Sequence, residues 1–464
     1  MTGVLTHDAV QAGSADWTPE RILESDRRYV IRSWSQQGKP AQAVVTDAQG
    51  CWFTTGDGRR VLDFQSQLVN MNLGHQHPKL VEAIQRAVAE MAYIGPGFAA
   101  RARAELGEMI ADIAPGDLDF SFFTTGGAEA NENAIRLAQH ITGRQKVMAR
   151  YRSYHGATLG ALAATGDPRH NNGGTNVPGI VRFHDPYTYR TPSGLPPEQD
   201  PACLGAPHLE EILQYEDPSS VAAIIIESIT GTNGLLVPPD GYLQSLRDVA
   251  DKHGIMLIAD EVMAGFGRTG EWFAIDHWSV VPDIITSAKG LNSGYVPLGA
   301  MIVGDRSREW LEANKFWGGQ TYAGHPLACA SGVASLRIIE EEHILENVRE
   351  RGAQLDRALR AMQERYSIIG DVRGKGLFYG IELVRDRATK EPLVPFNPAG
   401  AAAKPMQQIV ADGWERGIYL SANNNVLRLT PPLVISEDEL DLGIGMLDEI
   451  IGAADARLAK GDHQ

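Results

Sequence analysis

Three side chains suited to acid, base or nucleophilic chemistry follow apolar stretches of the sequence. Glu227 and Asp260 are each the last residue of an apolar run, and Lys289 lies just after a third run. Carboxylates and amines transfer protons in enzymes, and a lysine amine also attacks carbonyl carbons. Each residue alone could be an unrelated polar strand end in contact with water. Their recurrence in consecutive units favours one shared reaction centre.

The apolar runs that precede these side chains predict buried parallel strands. Residues 221–227 and 255–260 are separated by residues 242–253, whose apolar positions recur at helical spacing before Gly254. A strand, a helix and a second strand in this order form a unit with parallel strands, whose carboxyl ends share one edge. Ligands bind at that edge in open α/β sheets. The sequence therefore predicts an α/β fold in which the two carboxylates and the lysine meet.

A glycine-rich turn provides a second candidate binding feature. Residues 119–125 predict a strand, and Gly126, Gly127 and Ala128 lead from it into an amphipathic helix. Glycines let backbone N–H groups approach a ligand, and the positive end of a helix attracts anions, so this turn is a candidate phosphate site. An ordinary tight turn would use glycine too. The sequence motifs for nucleoside triphosphates and dinucleotides are absent after a strand, which argues against both ligand classes.

One flat, phosphorylated cofactor would use all of these groups. Pyridoxal 5'-phosphate (PLP) has an aldehyde that condenses with a lysine amine, a ring nitrogen that takes a carboxylate partner, and a phosphate suited to a helix N-terminus. On this hypothesis Lys289 holds the cofactor and moves a substrate proton, while Asp260 keeps the ring nitrogen protonated. Tyr154 follows a strand predicted at residues 147–150 and could lay its ring on a flat ligand, or simply pack in the core.

Composition excludes several other classes of function. The chain has 464 residues, 43% hydrophobic and 22% charged, which is typical of a globular enzyme of two or three domains. A formal net charge of −16 argues against nucleic-acid binding, because phosphate contacts need clustered lysine and arginine. Cys51, Cys203 and Cys329 are far apart, which predicts neither a disulfide nor a metal site. With no leader and no apolar run of about 18 residues, we expect a cytoplasmic protein without a membrane partner.

The order of predicted elements divides the chain into three parts. Residues 1–70 combine a polar arm with a β-meander, residues 71–330 form the ligand-binding domain, and residues 331–464 form a smaller α+β domain. A long helix from residue 330 to about residue 366 is expected to connect the last two parts. We expect the meander to join the C-terminal domain in space.

The sequence resembles the class III, or ω-type, aminotransferases of PLP fold type I over residues 43–447. The most specific similarity combines Ile-Ala-Asp-Glu-Val and Gly-Phe-Gly-Arg-Thr-Gly, within residues 258–270, with Ala-Lys-Gly at 288–290. Within that family the taurine and ω-amino-acid:2-oxo-acid transaminases are the most similar, through motifs at residues 125–131, 154–156, 292–297 and 321–327. The resemblance implies a large domain with a mostly parallel seven-stranded sheet flanked by helices, plus a smaller α+β domain.

The resemblance also implies an assembly and roles for cofactor-binding residues. It implies a homodimer with the active site at the subunit boundary, with a tetramer as the alternative. Tyr154 would stack on one face of the cofactor ring, and Val262 would pack against the other. Glu227 would lie beside Asp260, and Thr321 would reach the phosphate from the neighbouring subunit.

Two departures from the family pattern concern the phosphate and the substrate. Gly126 and Ala128 stand where hydroxyl residues are usual, which leaves backbone donors with Thr125 nearby. Ala157 stands where 4-aminobutyrate enzymes have an arginine for the distal carboxylate, so that substrate is disfavoured.

Arginine positions suggest how acids are recognised. In these relatives a glutamate switches an arginine on and off; its position here is Thr232, while the arginine is present as Arg428. Without an acidic partner, we expect Arg428 to bind a 2-oxo-acid carboxylate, unless it is a solvated strand-end residue. The mobile arginine of amine:pyruvate transaminases would fall near Ser421, where none exists. Arg152 is a further candidate for an anionic group on the amine donor.

The leading hypothesis is an aminotransferase that moves an amino group from an ω-amino acid, a taurine-like compound or a primary amine to pyruvate or 2-oxoglutarate. The alternative is a decarboxylase or an aminomutase of the same fold, which would use the same cofactor but break a different bond. A non-catalytic scaffold that keeps the pocket is the third reading, disfavoured because both Lys289 and Asp260 are present.

Overall fold

A seven-stranded sheet lies at the centre of the computed structural model, which describes residues 17–172 and 177–460. In spatial order its strands are Phe120–Thr124, Gly299–Val303, Ile284–Ser287, Met256–Asp260, Val221–Glu227, Lys146–Arg150 and Ile180–Phe183. The last five are parallel to one another, whereas Gly299–Val303 is antiparallel to both of its neighbours. This confirms the predicted α/β fold with a mostly parallel sheet.

The central strands are apolar because both of their faces are covered. Every residue of Val221–Glu227 and of Met256–Asp260 is buried, including the two terminal carboxylates. Parallel sheets that carry helices on both faces require such continuous apolar runs. Tyr242–His253 connects these two strands and ends at Gly254, which adopts a left-handed conformation that glycine tolerates. The predicted strand, helix and strand unit is therefore confirmed.

Helices cover the sheet and continue into the C-terminal part of the chain. The α-helices are Pro19–Tyr29, Ser66–Val69, Pro78–Glu90, Arg101–Ile113, Gly127–Thr142, Leu159–Ala164, Pro168–Asn172, Pro201–Leu204, Ala206–Glu216, Tyr242–His253, Asp305–Ala313, Pro326–Glu341, Ile344–Arg365, Lys404–Glu415 and Glu437–Ala459. None of the helices in the described ranges is both long and apolar enough to cross a membrane.

Two smaller sheets bring the two ends of the chain together. Val45–Gln49, Trp52–Thr55 and Arg60–Asp63 form the predicted meander, and Ile418–Tyr419 pairs with its last strand in parallel. The other sheet contains Ile369–Lys375, Phe378–Asp386, Val426–Leu429 and Ser421–Asn423, with Glu391–Pro392 paired to its second strand. The meander therefore pairs with the C-terminal part of the chain, while domain boundaries at residues 70 and 330 stay a prediction.

The long helix predicted for residues 330–366 is wrong, because the structure has two helices there. Pro326–Glu341 ends before His343, whose φ of 53° is incompatible with a continuing helix, and Ile344–Arg365 begins immediately afterwards. Glu342 at the break is held by Lys79 at 2.9 Å. Apolar residues keep helical spacing across the break at residues 342–343, so periodicity alone does not show that one helix ends there and another begins.

The sequence did not predict three strands of the C-terminal sheet, which are Ile369–Lys375, Glu391–Pro392 and Ser421–Asn423. Ile369–Lys375 pairs with Phe378–Asp386 across a tight turn at Gly376, where φ is 57°. The sequence predicts a strand at residues 376–383, whereas the strand in the structure begins two residues later and ends at Asp386. Gly370, Asp371 and Gly374 weaken the strand signal of Ile369–Lys375, because these residue types are depleted in strands.

Candidate active site

A cavity at the carboxyl edge of the large sheet collects the three side chains singled out above. Glu227 and Asp260 are directly paired on adjacent strands. Lys289 begins a short 3-10 turn just beyond the end of Ile284–Ser287. All three line one cavity of about 570 Å³. The parallel strands therefore deliver both carboxylates and the amine to a single space.

Lys289 presents an amine with a lowered pKa to this cavity. Its φ of 46° is uncommon for a residue with a side chain, and such backbone strain is concentrated at functional sites. Burial lowers the pKa of Lys289 to about 8, and the positive charge of Arg428 acts in the same direction, whereas Asp260 and Glu227 oppose the shift. Within the described residues its Nζ donates no hydrogen bond, so the amine is available for nucleophilic chemistry.

Three donors orient the carboxylate of Asp260. Its Oδ2 lies 2.7 Å from Asn131 Nδ2 and 2.7 Å from His155 Nδ1, and its Oδ1 accepts a hydrogen bond from Val262 N at 3.0 Å. The residue is only 3% exposed. A carboxylate oxygen accepts two hydrogen bonds, so Oδ1 can take one more donor at the cavity wall.

Glu227 links two loops beside the cavity. Its Oε1 accepts a hydrogen bond from Tyr154 N at 3.0 Å, and its Oε2 accepts one from Gly231 N at 2.7 Å. Burial raises the pKa of the Glu227 carboxyl, and nearby Asp260 adds to that increase. Both oxygens are occupied by backbone donors, so the side chain is suited to holding the loops in place.

The predicted phosphate turn has the close packing that requires glycine. Gly126, Gly127 and Ala128 line the cavity at the start of a helix. A Cβ atom at Gly127 would lie 2.7 Å from both methyl groups of Val262. The N–H groups of a first helical turn lack intrahelical acceptors, and they attract phosphate.

The ring of Tyr154 is covered on one face by an arginine that the sequence did not single out. The guanidinium carbon of Arg169 lies 3.7 Å from the ring centroid. Asp167 accepts hydrogen bonds from Arg169 Nε at 3.0 Å and 2.9 Å, and Asn233 donates to the same carboxylate at 3.0 Å. Tyr154 and Arg169 both line the cavity, and the charge of Arg169 is already paired.

Arg428 is a second arginine of the cavity, and within the described residues it has no counterion. Its Nε and Nη2 donate hydrogen bonds to Ser421 Oγ at 3.2 Å and 2.8 Å. Burial lowers the pKa of Arg428 to about 10. No carboxylate in residues 17–172 or 177–460 forms an ion pair with it. Thr232, which replaces the switching glutamate of relatives, lines the same cavity.

Two predicted site residues do not line this cavity. The guanidinium carbon of Arg152 lies 4.9 Å from the ring centroid of Tyr187 and 5.0 Å from that of Phe396. Thr321 is exposed, and its carbonyl oxygen accepts a hydrogen bond from Tyr93 Oη at 2.7 Å. The structure therefore gives no contact between Arg152 and the cavity, where Arg169 lies instead. The role expected for Thr321 stays a prediction.

Residues 33–451 match the model of the family described as aminotransferase class-III. The chain belongs to the class III aminotransferases. The taurine–pyruvate aminotransferase of Bilophila wadsworthia is 34% identical over 452 residues, which cover 92% of this chain and 96% of that protein. The putrescine–pyruvate aminotransferase of Pseudomonas aeruginosa is 32% identical over 419 residues, covering 88% of this chain and 90% of that protein.

A solved structure shows the same fold. The crystal structure of taurine:2-oxoglutarate aminotransferase from Bifidobacterium kashiwanohense, in complex with PLP and glutamate, has a TM-score of 0.91 and 38% sequence identity. The match covers 96% of this chain and 99% of that one. This class III aminotransferase thus has PLP fold type I and is a PLP-dependent transaminase, as the sequence predicted, whereas a non-catalytic scaffold is not supported.

The residues of this class III aminotransferase fit the PLP cofactor of its family. The amine of Lys289 has no protein acceptor in the described part of the chain, so an aldehyde can react with it. Asp260 keeps an accepting position on Oδ1 for a protonated ring nitrogen. The glycine turn supplies N–H donors for a phosphate.

The residues that orient Asp260 were missed by reasoning from sequence. Asn131 donates to Asp260 and accepts a hydrogen bond from Thr286 Oγ1 at 2.5 Å. His155 contacts the same carboxylate oxygen. A signal for Asn131 existed, because a polar residue on the buried face of an amphipathic helix needs a partner.

Proposed function

We propose that this class III aminotransferase transfers an amino group from a taurine-like compound, an ω-amino acid or another primary amine to pyruvate or 2-oxoglutarate. The two half-reactions would follow a ping-pong order in one cavity. The proposal rests on two groups that line the same cavity, the amine of Lys289 and the guanidinium of Arg428, neither of which forms an ion pair with any residue that the structure describes. The relatives that act on taurine, putrescine, pyruvate and 2-oxoglutarate support this substrate range.

Lys289 is the proposed proton carrier. Its lowered pKa leaves a substantial neutral fraction near pH 8, so it can take a proton from the amine-bearing carbon of the donor and return it later. When bound, PLP supplies an electron-withdrawing ring that stabilises the carbon from which that proton leaves. Asp260, oriented by Asn131 and His155, would keep the ring nitrogen charged.

Arg428 is proposed to bind the carboxylate of the 2-oxo acid. A guanidinium without a protein counterion attracts a carboxylate and binds it through two parallel N–H groups. Thr232 supports this role, because no acidic side chain at that position competes for Arg428. Ala157 offers no cation to a distal carboxylate, which favours amine donors other than 4-aminobutyrate.

The proposal includes a cytoplasmic homodimer in which Thr321 reaches the phosphate site of the partner subunit. Thr321 lies on an exposed segment flanked by the exposed rings of Trp317 and Tyr322. Exposed apolar rings in one place are typical of association surfaces. Three cysteines without disulfides fit a reducing compartment.

A donor and acceptor panel tests the transaminase proposal. Taurine, putrescine and other primary amines are added to the holoenzyme one at a time, and the visible absorption of the cofactor is followed. An accepted donor should change this absorption in the absence of any oxo acid, and addition of pyruvate or 2-oxoglutarate should then restore it. Release of carbon dioxide from the donor without any need for an oxo acid would contradict the proposal.

Two lysine variants control this experiment. Lys289→Ala should lose turnover by several orders of magnitude, since it removes the proton carrier. Lys252→Ala changes an exposed lysine that pairs with Glu210, and it should retain wild-type turnover.

A further inference from the structure

A relay of hydrogen bonds connects the N-terminal part of the chain to Arg428. Arg428 donates to Ser421 Oγ through Nε and Nη2, and Ser421 Oγ donates to Gln65 Oε1 at 2.6 Å. Gln65 is 2% exposed. Its N–H donates to Asp63 at 3.2 Å, and its carbonyl oxygen accepts from Thr430 Oγ1 at 3.1 Å. The far end of the relay is therefore fixed by its own backbone contacts.

The chemistry of the three groups sets the direction of each bond. A guanidinium only donates, whereas a serine hydroxyl has one hydrogen and two lone pairs. Both lone pairs of Ser421 accept from Arg428, so its single hydrogen goes to the amide oxygen of Gln65. Sheet register supports the geometry, because Ser421 and Arg428 are directly opposite each other on paired strands.

The relay leaves one edge of the Arg428 guanidinium open. Ser421 occupies the side edge formed by Nε and one N–H of Nη2. The end-on edge, formed by Nη1 and the other N–H of Nη2, remains. Within the part of the chain that the structure describes, Nη1 donates no hydrogen bond, and Arg428 lines the cavity. A carboxylate needs two such parallel N–H groups.

Ser421, the hydrogen-bond partner of Arg428, carries no charge. Asp167 cancels the charge of the other cavity arginine, Arg169, through a direct ion pair. Ser421 orients Arg428 without cancelling its charge, so the cation keeps its attraction for an acid.

We propose that Ser421, itself held by Gln65, is a positioning residue that directs the end-on N–H pair of Arg428 toward the carboxylate of the 2-oxo acid. The inference rests on the proposed role of Arg428 in acceptor binding. It assigns Ser421 and Gln65 to recognition of the acceptor. An amine donor without a carboxylate does not need either residue.

Ser421→Ala in the holoenzyme tests the inference. The KM for pyruvate and for 2-oxoglutarate should rise about tenfold with little change in kcat, because a binding group loses its orientation. The KM for putrescine, an amine donor without an acidic group, should be unchanged, as should that for acetaldehyde, which is pyruvate without its carboxylate. Gln65→Leu should act in the same direction, and Ser421→Thr should restore the wild-type value. An unchanged oxo-acid KM in Ser421→Ala overturns the inference.

A matched serine variant controls for loss of a buried hydroxyl. Ser335 is buried, and its Oγ has no hydrogen-bond partner in the described residues. Ser335→Ala should leave all KM values unchanged. If Ser421→Ala raises the KM for acetaldehyde as much as that for pyruvate, its effect is general and the positioning role is overturned.

Arg428→Leu separates failure of the inference from failure of the proposed function. If this variant leaves oxo-acid KM unchanged, the role of Arg428 fails and the inference fails with it. If Arg428→Leu raises that KM while Ser421→Ala does not, only the positioning role is overturned. In the double variant, Ser421→Ala should add nothing to Arg428→Leu, whereas an additive increase contradicts action through Arg428.

Discussion

The charges of Lys289 and Arg428 act on each other across one cavity. Burial and the positive charge of Arg428 together hold the pKa of Lys289 at about 8. A lysine attacks an aldehyde only as the neutral amine. Protonation below this pKa therefore suppresses the reaction, and deprotonation above it permits the reaction in full.

Cofactor uptake by the apoprotein should report this pKa. We expect the rate of PLP incorporation to rise as the pH increases through about 8 and then to level off. Arg428→Gln removes a positive charge, so the midpoint should move to higher pH. Arg385→Gln removes a cation on the protein surface and should leave the midpoint unchanged. Rapid-mixing absorbance measurements give both midpoints, and an unmoved midpoint in Arg428→Gln contradicts the coupling.

The turn that starts the cofactor-facing helix depends on a single close contact. A Cβ atom at Gly127 would lie 2.7 Å from the methyl groups of Val262, whereas one at Gly126 would meet nothing within 4 Å. The φ of Gly126 is 178°, an extended value that any residue adopts. Of these two residues, only Gly127 is therefore required to be glycine for steric reasons.

This difference predicts unequal effects of two neighbouring substitutions. Gly127→Ala should raise the dissociation constant of PLP about tenfold, because overpacking at a closely packed site costs roughly 1–3 kcal/mol. Gly126→Ala is the matched control and should change it little. Titration of the apoprotein with PLP, followed by cofactor fluorescence, measures both constants. Equal effects of the two substitutions would show that the close approach to Val262 does not determine the affinity for PLP.

At the scale of the whole molecule, the proposed homodimer, in which Thr321 reaches the phosphate site of the partner subunit, predicts that each active site is shared between two subunits. A hybrid dimer of Lys289→Ala and Thr321→Asp subunits should have one intact site and about half of the wild-type activity. Each parent homodimer should be impaired, because every one of its sites carries a defect. Affinity tags of two kinds allow the hybrid to be purified and assayed.

The reciprocal hybrid provides the control. A wild-type subunit paired with a Lys289→Ala and Thr321→Asp double variant should have both sites impaired if Thr321 acts across the interface. Half activity in this hybrid, together with none in the first, would place Thr321 in the site of its own subunit. A monomer in sedimentation experiments would contradict the shared site altogether.

Local sequence signals determined most strands of the central sheet and the identity of its reactive side chains, whereas the edge strand Ile180–Phe183 was not predicted. Continuous apolar runs identify strands that are covered on both faces, and Glu227, Asp260 and Lys289 follow such runs directly. The parallel arrangement then requires their carboxyl ends to share an edge, so their convergence could be predicted without coordinates. The glycine turn and the choice of PLP followed from the same local chemistry.

Only the tertiary structure decided which residues orient these groups. Gln65 and Ser421 are 356 residues apart in sequence, and Asn131 and Asp260 are 129 residues apart. Periodicity and capping act over a few residues, whereas such pairs depend on how separate sheets and loops pack. The same reason explains why Arg152 was chosen from the sequence while the structure brings Arg169 to the cavity.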